Sequence, residues 1–80
     1  MKVILYTQPG CPPCLTQKAW MKQLGIAFDE RDVRASREHL TELLALGAQG
    51  TPTTVVTGDD GRQEIMVGFD PNRLAQLLGV

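Results

Sequence analysis

The first fourteen residues constrain the fold of this chain more than any other segment. Residues 2–6 form a short run rich in β-branched and aromatic side chains, and the run stops at polar residues followed by Pro9 and Gly10. This pattern is typical of a buried strand that ends in a loop. Cys11 and Cys14 come directly afterwards, at the start of a helical pattern. We therefore predict that both thiols lie where a strand passes into the N-terminus of a helix.

Cys11 and Cys14 are the only cysteines in the 80 residues, and they are poorly placed to stabilise a small fold. A bridge between them closes a very short loop, so its entropic contribution to stability is small. Small domains that rely on disulfides use several of them, spread along the chain. In a reducing cytoplasm, where we expect this protein, a Cys-x-x-Cys pair is more often redox-active or metal-binding than structural.

The composition excludes several classes of partner. Eight Lys and Arg stand against nine Asp and Glu, for a net charge of −1, so no basic excess is available to bind nucleic acid. No stretch approaches the ~20 apolar residues that span a bilayer, and the apolar run at residues 3–6 is too short for a signal peptide. We expect a monomer with a single domain over residues 1–80, and neither a nucleic-acid nor a membrane partner.

Two elements follow the cysteine loop. The pattern predicts a helix over residues 12–24, because apolar residues recur at near-helical spacing and Gly25 suits the position after a helix end. Residues 26–33 are predicted to hold a second strand, with Ile26, Phe28 and Val33 as its apolar members. The charged residues 29–32, with the arginines that follow, are interpreted as a solvated strand end and loop.

Two further helices are predicted from their capping residues. Ser36 is expected to cap a helix that ends at Gly47, and Asp70 with Pro71 is expected to start the final helix. The predicted apolar faces are Leu40, Leu43 and Leu44 in the first and Leu74, Leu77 and Leu78 in the second.

Residues 53–57 and 63–67 have the composition of strands, and the turn residues 58–61 between them predict an antiparallel hairpin. The resulting order is β-α-β-α-β-β-α. Its first β-α-β unit should be parallel and right-handed. The chain is therefore predicted to have an α/β fold, with one mixed four-stranded sheet and helices on both faces.

The position of the two cysteines suggests different roles for them. A helix N-terminus carries partial positive charge and unpaired N–H groups, both of which favour a thiolate. Cysteines in such places have pKa values lowered from ~8.5 into a range of ~3.5–7.5. Cys11, nearer the loop, is predicted to be the exposed nucleophile, and Cys14 the more buried thiol that resolves the mixed disulfide.

The two prolines between the cysteines affect the helix start and the thiolate. A residue before proline avoids helical geometry, so we expect regular helix only from about Pro13. Neither Pro12 nor Pro13 has an N–H, which leaves the N–H of Cys14 as the nearest backbone donor to Cys11. We hypothesise that the pKa of Cys11 is lowered less than it would be with an N–H at position 13.

With these residues identified, the chain resembles the glutaredoxin branch of the thioredoxin superfamily over essentially its whole length. The matching segments are Ile4-Leu5-Tyr6-Thr7, Cys11-Pro12-Pro13-Cys14, Gly50-Thr51-Pro52 and Gly68-Phe69-Asp70-Pro71. The resemblance implies a thioredoxin-like fold and a dithiol–disulfide oxidoreductase that carries electrons to protein disulfides with Cys11 and Cys14 as catalytic residues. It implies neither a metal nor an organic cofactor.

The resemblance also implies a substrate groove. Pro52 is expected to follow a cis peptide bond beside the cysteine pair, leaving the backbone of Thr51 free to pair with an extended substrate segment. For Tyr6 the sequence fits a groove residue and a core aromatic equally well, and for Phe69 packing under the final helix competes with a partner contact. The expected substrate-binding residues are Tyr6, Pro12, Pro13, Thr51, Pro52, Gly68, Phe69 and Asp70.

Within this branch the electron donor distinguishes two classes. NrdH-redoxins look like glutaredoxins but take electrons from thioredoxin reductase and pass them to ribonucleotide reductase, whereas other members use glutathione. The glutathione users typically carry a basic residue before the first cysteine and an aromatic one before the second, where this chain has Gln8 and Pro13. Gly68-Phe69 resembles the NrdH-redoxin ending, although Met66-Val67 replaces the Trp-Ser expected before it. The resemblance favours the NrdH-like class and leaves the donor open.

A Cys-x-x-Cys pair after a first strand also occurs in small copper carriers, which are the alternative from a different class. Those proteins have β-α-β-β-α-β order and usually a Met two residues before the first cysteine, where this chain has Pro9. The proline-stiffened loop is also a poor match to Cu(I). Iron–sulfur assembly suits single-cysteine glutaredoxins better.

Overall fold

The elements of the structure follow the predicted order. The computed structural model describes residues 1–80. Its elements are β1 (Lys2–Thr7), α1 (Pro12–Gln23), β2 (Asp29–Asp32), α2 (Arg37–Ala45), β3 (Thr53–Thr57), β4 (Gln63–Val67) and α3 (Pro71–Leu78). None of the helices has the length and apolar character that crossing a membrane requires. The order differs from that of the copper carriers, because α2 stands where they have a strand.

A single four-stranded sheet connects these elements, in the strand order β2-β1-β3-β4. Strand β1 is parallel to β2 and antiparallel to β3, and β3 and β4 form the antiparallel hairpin. The two central strands are rich in β-branched residues, which suit a sheet interior. The predicted mixed sheet is confirmed.

Successive side chains of β1 point to opposite faces of the sheet, so the strand contributes to a core on each face. Val3 and Leu5 pack on one face against Met21 of α1 and against Leu74 of α3. Tyr6 points to the other face and belongs to a second cluster that contains Leu43 of α2. Helices therefore cover both faces, as predicted, and α1 shares its face with α3.

The predicted second strand is wrong in its extent. Strand β2 comprises Asp29–Asp32 alone, and all four of its residues are charged. Ile26 and Phe28 pack against the core before the strand begins, and Val33 is buried after it ends. Because β2 lies at the edge of the sheet, its side chains reach solvent and form ion pairs while its backbone pairs with β1.

The start of α1 also differs from the expectation. Cys11 is the extended N-cap residue, with φ −115° and ψ 93°, but regular helix begins at Pro12 rather than Pro13. Proline suits the first helical turn because its φ is already near the helical value and its missing N–H has no partner there anyway. The helix ends at Gln23, and Gly25 follows with φ +70°, as predicted for the residue after a helix end.

The predicted apolar face of α2 is wrong for two of its three leucines. Leu43 is buried, whereas Leu40 is 39% exposed and Leu44 is 54% exposed. Leu43 packs into the core, and Leu46, the residue after the helix, is half-buried against the same cluster. Leu44, about 100° further round the helix than Leu43, is exposed. Ser36 is the N-cap residue, but its side chain makes no capping hydrogen bond.

Helix α3 follows the prediction closely. The Asp70 carboxylate accepts hydrogen bonds from the N–H groups of Asn72 at 3.1 Å and Arg73 at 3.3 Å, and Pro71 is the first helical residue. Leu74 and Leu78 are buried in the core. The cap fixes where the helix starts, and the leucines hold it against the sheet.

The contrast between the two caps gives a stability prediction. Asp70→Ala should lower the free energy of unfolding by about 1 kcal/mol, because it removes an acceptor for two otherwise unpaired N–H groups. Ser36→Ala, which removes no capping bond, should change it by less than about 0.5 kcal/mol. Urea unfolding of both oxidised variants measures the difference, and equal losses would contradict the assignment.

Candidate active site

The two cysteines form a disulfide at the junction between β1 and α1, with Cα atoms 5.3 Å apart. Cys11 is the N-cap residue and Cys14 lies in the first helical turn. Cys11 is 8% exposed and Cys14 2% exposed. The order of exposure is the predicted one, but Cys11 is more enclosed than expected.

Two donors lie close to the Cys11 sulfur. The N–H of Cys14 is 3.3 Å from Sγ, and the hydroxyl of Thr51 is 3.6 Å from it. The first is the backbone donor that the sequence predicted, since Pro12 and Pro13 have none. Both groups are placed to stabilise negative charge on Cys11 once the disulfide opens.

Thr51 and Pro52 form the opposite wall of the site. The peptide bond between them is cis, as the resemblance implied. The carbonyl of Pro52 accepts a hydrogen bond from the N–H of Gly68 at 2.7 Å, whereas the N–H and C=O of Thr51 make no backbone hydrogen bond. A half-buried backbone with both groups unpaired can receive an extended segment of another chain.

A pocket of about 140 Å³ opens on the other side of the disulfide, between the β1–α1 loop, α1 and the end of β2. The lining residues are Thr7, Gln8, Pro9, Gly10, Cys11, Cys14, Leu15, Lys18, Glu30 and Asp32. Sequence reasoning did not place Glu30 and Asp32 here. The parallel pairing of Leu5 with Glu30 and of Thr7 with Asp32 could have predicted their position, because paired residues point to the same face of the sheet.

The charges in this pocket are largely paired. The Glu30 carboxylate accepts hydrogen bonds from the Lys18 ammonium at 3.0 Å and from the Thr7 hydroxyl at 2.9 Å. The Asp32 carboxylate accepts from the N–H groups of Arg34 and Ala35. The pocket thus contains one cation, Lys18, and two carboxylates, Glu30 and Asp32. The Lys18 side chain is 24% exposed and forms an ion pair with Glu30.

Three of the expected substrate-binding residues make packing or capping contacts within the protein. Tyr6 is buried on the α2 face and donates a hydrogen bond to Glu42 at 3.2 Å. Phe69 packs edge-on against Trp20, with ring centroids 5.8 Å apart, and Asp70 caps α3. By contrast, Pro12 and Pro13 are exposed between the two cysteines, and Gly68 binds the backbone of Pro52.

The surroundings of Tyr6 keep its hydroxyl neutral. Burial, together with the neighbouring Glu42 carboxylate, raises the pKa of Tyr6 above its ordinary value. The Arg31 guanidinium donates to Glu42 at 2.7 Å and holds the pKa of that carboxyl below its usual range. This cluster joins β1, β2 and α2 on the face of the sheet away from the disulfide.

The helix start predicts how a substitution between the cysteines acts. Pro13→Tyr should lower the pKa of Cys11 in the reduced protein, because it restores an N–H at the second helical position, where an N-cap side chain finds its donors. Titration of the thiolate absorbance measures this. Pro12→Tyr is the matched control and should change the pKa less, since the first helical N–H does not reach the cap. An unchanged or higher pKa in Pro13→Tyr would show the hypothesis to be wrong.

Comparison with known proteins agrees with this geometry. The glutaredoxin family model matches residues 3–60. The glutaredoxin-like protein NrdH of Lactococcus lactis is 32% identical over 75 residues, covering 94% of this chain and 97% of that protein. The global transcriptional regulator Spx of Listeria monocytogenes is 31% identical over 78 residues. That match covers 94% of this chain but 60% of Spx, so the chain spans less than two thirds of the regulator.

Solved structures give the same result. The crystal structure of the thioredoxin-like protein BC3987 is 38% identical, with a TM-score of 0.83, and the match covers 95% of this chain and 99% of that one. The NrdH-redoxin of Escherichia coli, described as having a thioredoxin-like activity profile, is 27% identical with a TM-score of 0.80, covering 96% and 95%. The chain is therefore a homologue of the NrdH-redoxins and belongs to the glutaredoxin family.

Proposed function

We propose that the protein is a cytoplasmic dithiol electron carrier that reduces protein disulfides through Cys11 and Cys14. The observation that carries the proposal is the placement of the Cys11 sulfur. It lies at the start of α1, it belongs to the less buried of the two cysteines, and it is 3.6 Å from the hydroxyl of Thr51, a residue whose backbone is unpaired.

The proposed cycle uses both cysteines in turn. In the reduced protein, the Cys11 thiolate attacks one sulfur of a substrate disulfide, and the other substrate sulfur leaves as a thiolate. Cys14 then attacks the Cys11 sulfur of this mixed disulfide, which releases the second substrate thiolate and forms the Cys11–Cys14 disulfide. A reductase restores the dithiol with two electrons. No metal or organic cofactor takes part in these steps on this chain.

The substrate is proposed to bind as an extended segment along Thr51. Its backbone would pair with the free N–H and C=O of Thr51 while its disulfide faces Cys11. Pro12, Pro13 and Gly68 are the proposed contact residues along this path. Pro52, whose side chain is fully buried, is proposed to act through the cis peptide bond that presents Thr51. Tyr6, Phe69 and Asp70 are proposed to act only through the packing and capping that hold the site together.

For the electron donor we propose thioredoxin reductase, and for the acceptor ribonucleotide reductase, as in the NrdH-redoxins. The charges beside the disulfide support a protein donor over glutathione. Glutathione is an anionic tripeptide, but Lys18 is already paired with Glu30, and Asp32 adds a second carboxylate to the pocket. A bound anion would meet net negative charge there.

Two coupled assays test the proposed donor. Oxidation of NADPH should proceed when thioredoxin reductase recycles the protein during reduction of insulin disulfides. It should be slow when glutathione and glutathione reductase replace the enzyme. Cys11→Ser should abolish turnover with thioredoxin reductase, because the attacking sulfur is lost. Turnover that depends on glutathione alone would overturn the preference for a protein donor and favour a glutathione-dependent glutaredoxin.

The pocket charges give a second prediction. Glu30→Gln should raise glutathione-linked turnover several-fold, because it leaves the Lys18 ammonium free to attract the tripeptide, and the gain should shrink as salt screens the charges. Turnover with thioredoxin reductase should change less. Glu38→Gln, in the first turn of α2, removes the same charge outside the pocket and is the matched control. An equal gain in both variants would mean that net charge alone is responsible.

A further inference from the structure

Gln17 is a polar residue that the proposed cycle does not use, although it lies one helical turn after Cys14. Its side chain is fully buried between α1 and the sheet. The amide nitrogen Nε2 donates to the hydroxyl of Thr54 at 2.6 Å and approaches the sulfur of Met21 at 3.7 Å. The amide oxygen Oε1 has no hydrogen-bond partner, and it is the one buried side-chain nitrogen or oxygen atom in the structure of which this is true.

A buried oxygen without a donor costs free energy, so its presence calls for an explanation. Cys14 supplies one, because its sulfur changes from a poor acceptor to a donor when the disulfide opens. In the oxidised protein the Cys14 sulfur carries no hydrogen. In the dithiol it carries an S–H group, and because Cys14 is only 2% exposed in this structure, that group would have little access to water.

Helix geometry places Gln17 and Cys14 on the same face of α1, one turn apart. Long helical side chains lean back towards the N-terminus and cover the residues three and four positions before them. For Gln17 the residue three positions earlier is Cys14. The Thr54 hydroxyl occupies Nε2, which leaves Oε1 as the amide atom that is free to accept a hydrogen bond from a neighbouring residue.

We propose that Gln17 is a positioning residue that accepts the S–H hydrogen bond of Cys14 and thereby favours the reduced form of the pair. The inference rests on the proposed dithiol cycle. A dithiol reductant breaks the Cys11–Cys14 bond and becomes a disulfide itself, while two electrons and two protons pass to the cysteines. One proton resides on Cys14 and is shared with Oε1, and the other resides on Cys11 or is released to solvent when Cys11 is a thiolate.

Equilibration with reduced and oxidised dithiothreitol tests the effect without any enzyme donor. In Gln17→Met the equilibrium should move about fivefold towards the disulfide, because the reduced form loses an acceptor and the oxidised form loses an unpaired oxygen. For a two-electron couple this is a potential about 20 mV more negative. Met21→Leu keeps the Gln17 oxygen while altering its packing, and it should shift the equilibrium less than twofold.

A spectroscopic measurement separates this role from simple packing. In the Cys11→Ser variant, Cys14 is the only thiol, so its S–H stretching band can be observed alone in the infrared spectrum. Adding Gln17→Met should move the band to higher frequency, as expected when the S–H group loses its acceptor. In the protein without substitutions, the side-chain carbonyl resonance of ¹³C-labelled Gln17 should move on reduction, so the test remains available if Gln17→Met does not fold.

The two Gln17→Met measurements together decide the proposal. A shift towards the disulfide accompanied by the higher S–H frequency supports it. A band that stays in place, an equilibrium within twofold of the parent protein, or a shift towards the dithiol overturns it. If the variant is unfolded, a carbonyl resonance unmoved by reduction overturns it and a moved one supports it. Failure of the dithiol cycle itself would appear differently, as full turnover in Cys11→Ser.

Discussion

The antiparallel pairing of β1 with β3 is the interaction on which the site depends. In an antiparallel pair the end of one strand lies beside the start of the other, and here Tyr6 is the partner of Thr53. The loop that leaves β1 carries Cys11, and the segment that enters β3 carries Thr51, so two residues forty positions apart come within hydrogen-bond range. Neither loop could hold this geometry without the strand beneath it.

The parallel partner of β1 completes the site from the other side. Strands β1 and β2 are parallel, so their C-terminal ends lie side by side, and Glu30 and Asp32 come close to the start of α1. The carboxylate of Glu30 then binds β1 through Thr7 and α1 through Lys18. Although β2 has no apolar residue, Glu30 thus connects it to β1 and α1 beside the disulfide. An exposed ion pair of this kind contributes little to the stability of the fold.

Local chemistry was sufficient to predict some parts of this molecule and insufficient for others. The N-cap of α3, the β3–β4 hairpin and the position of the cysteines depend on neighbouring residues, and the sequence predicted all of them. The bounds of β2 and the exposure of Leu44 depend on which surface another element covers, which local patterns do not contain. Tyr6 shows the same limit, because its contact with Glu42 requires that α2 already lie on that face of the sheet.

If a substrate segment pairs with the unpaired backbone of Thr51, as proposed, that pairing has a consequence for the range of proteins that the site can serve. A bond between main-chain atoms takes no account of side-chain identity, so it provides affinity without a sequence motif. What it does require is a partner segment with its own N–H and C=O groups free. Disulfides in flexible tails and mobile loops lie in segments with free backbone groups. Disulfides inside a helix or a fully paired sheet do not, because those backbone groups are already hydrogen-bonded. Selection at this site would therefore follow the local order of the partner rather than its sequence.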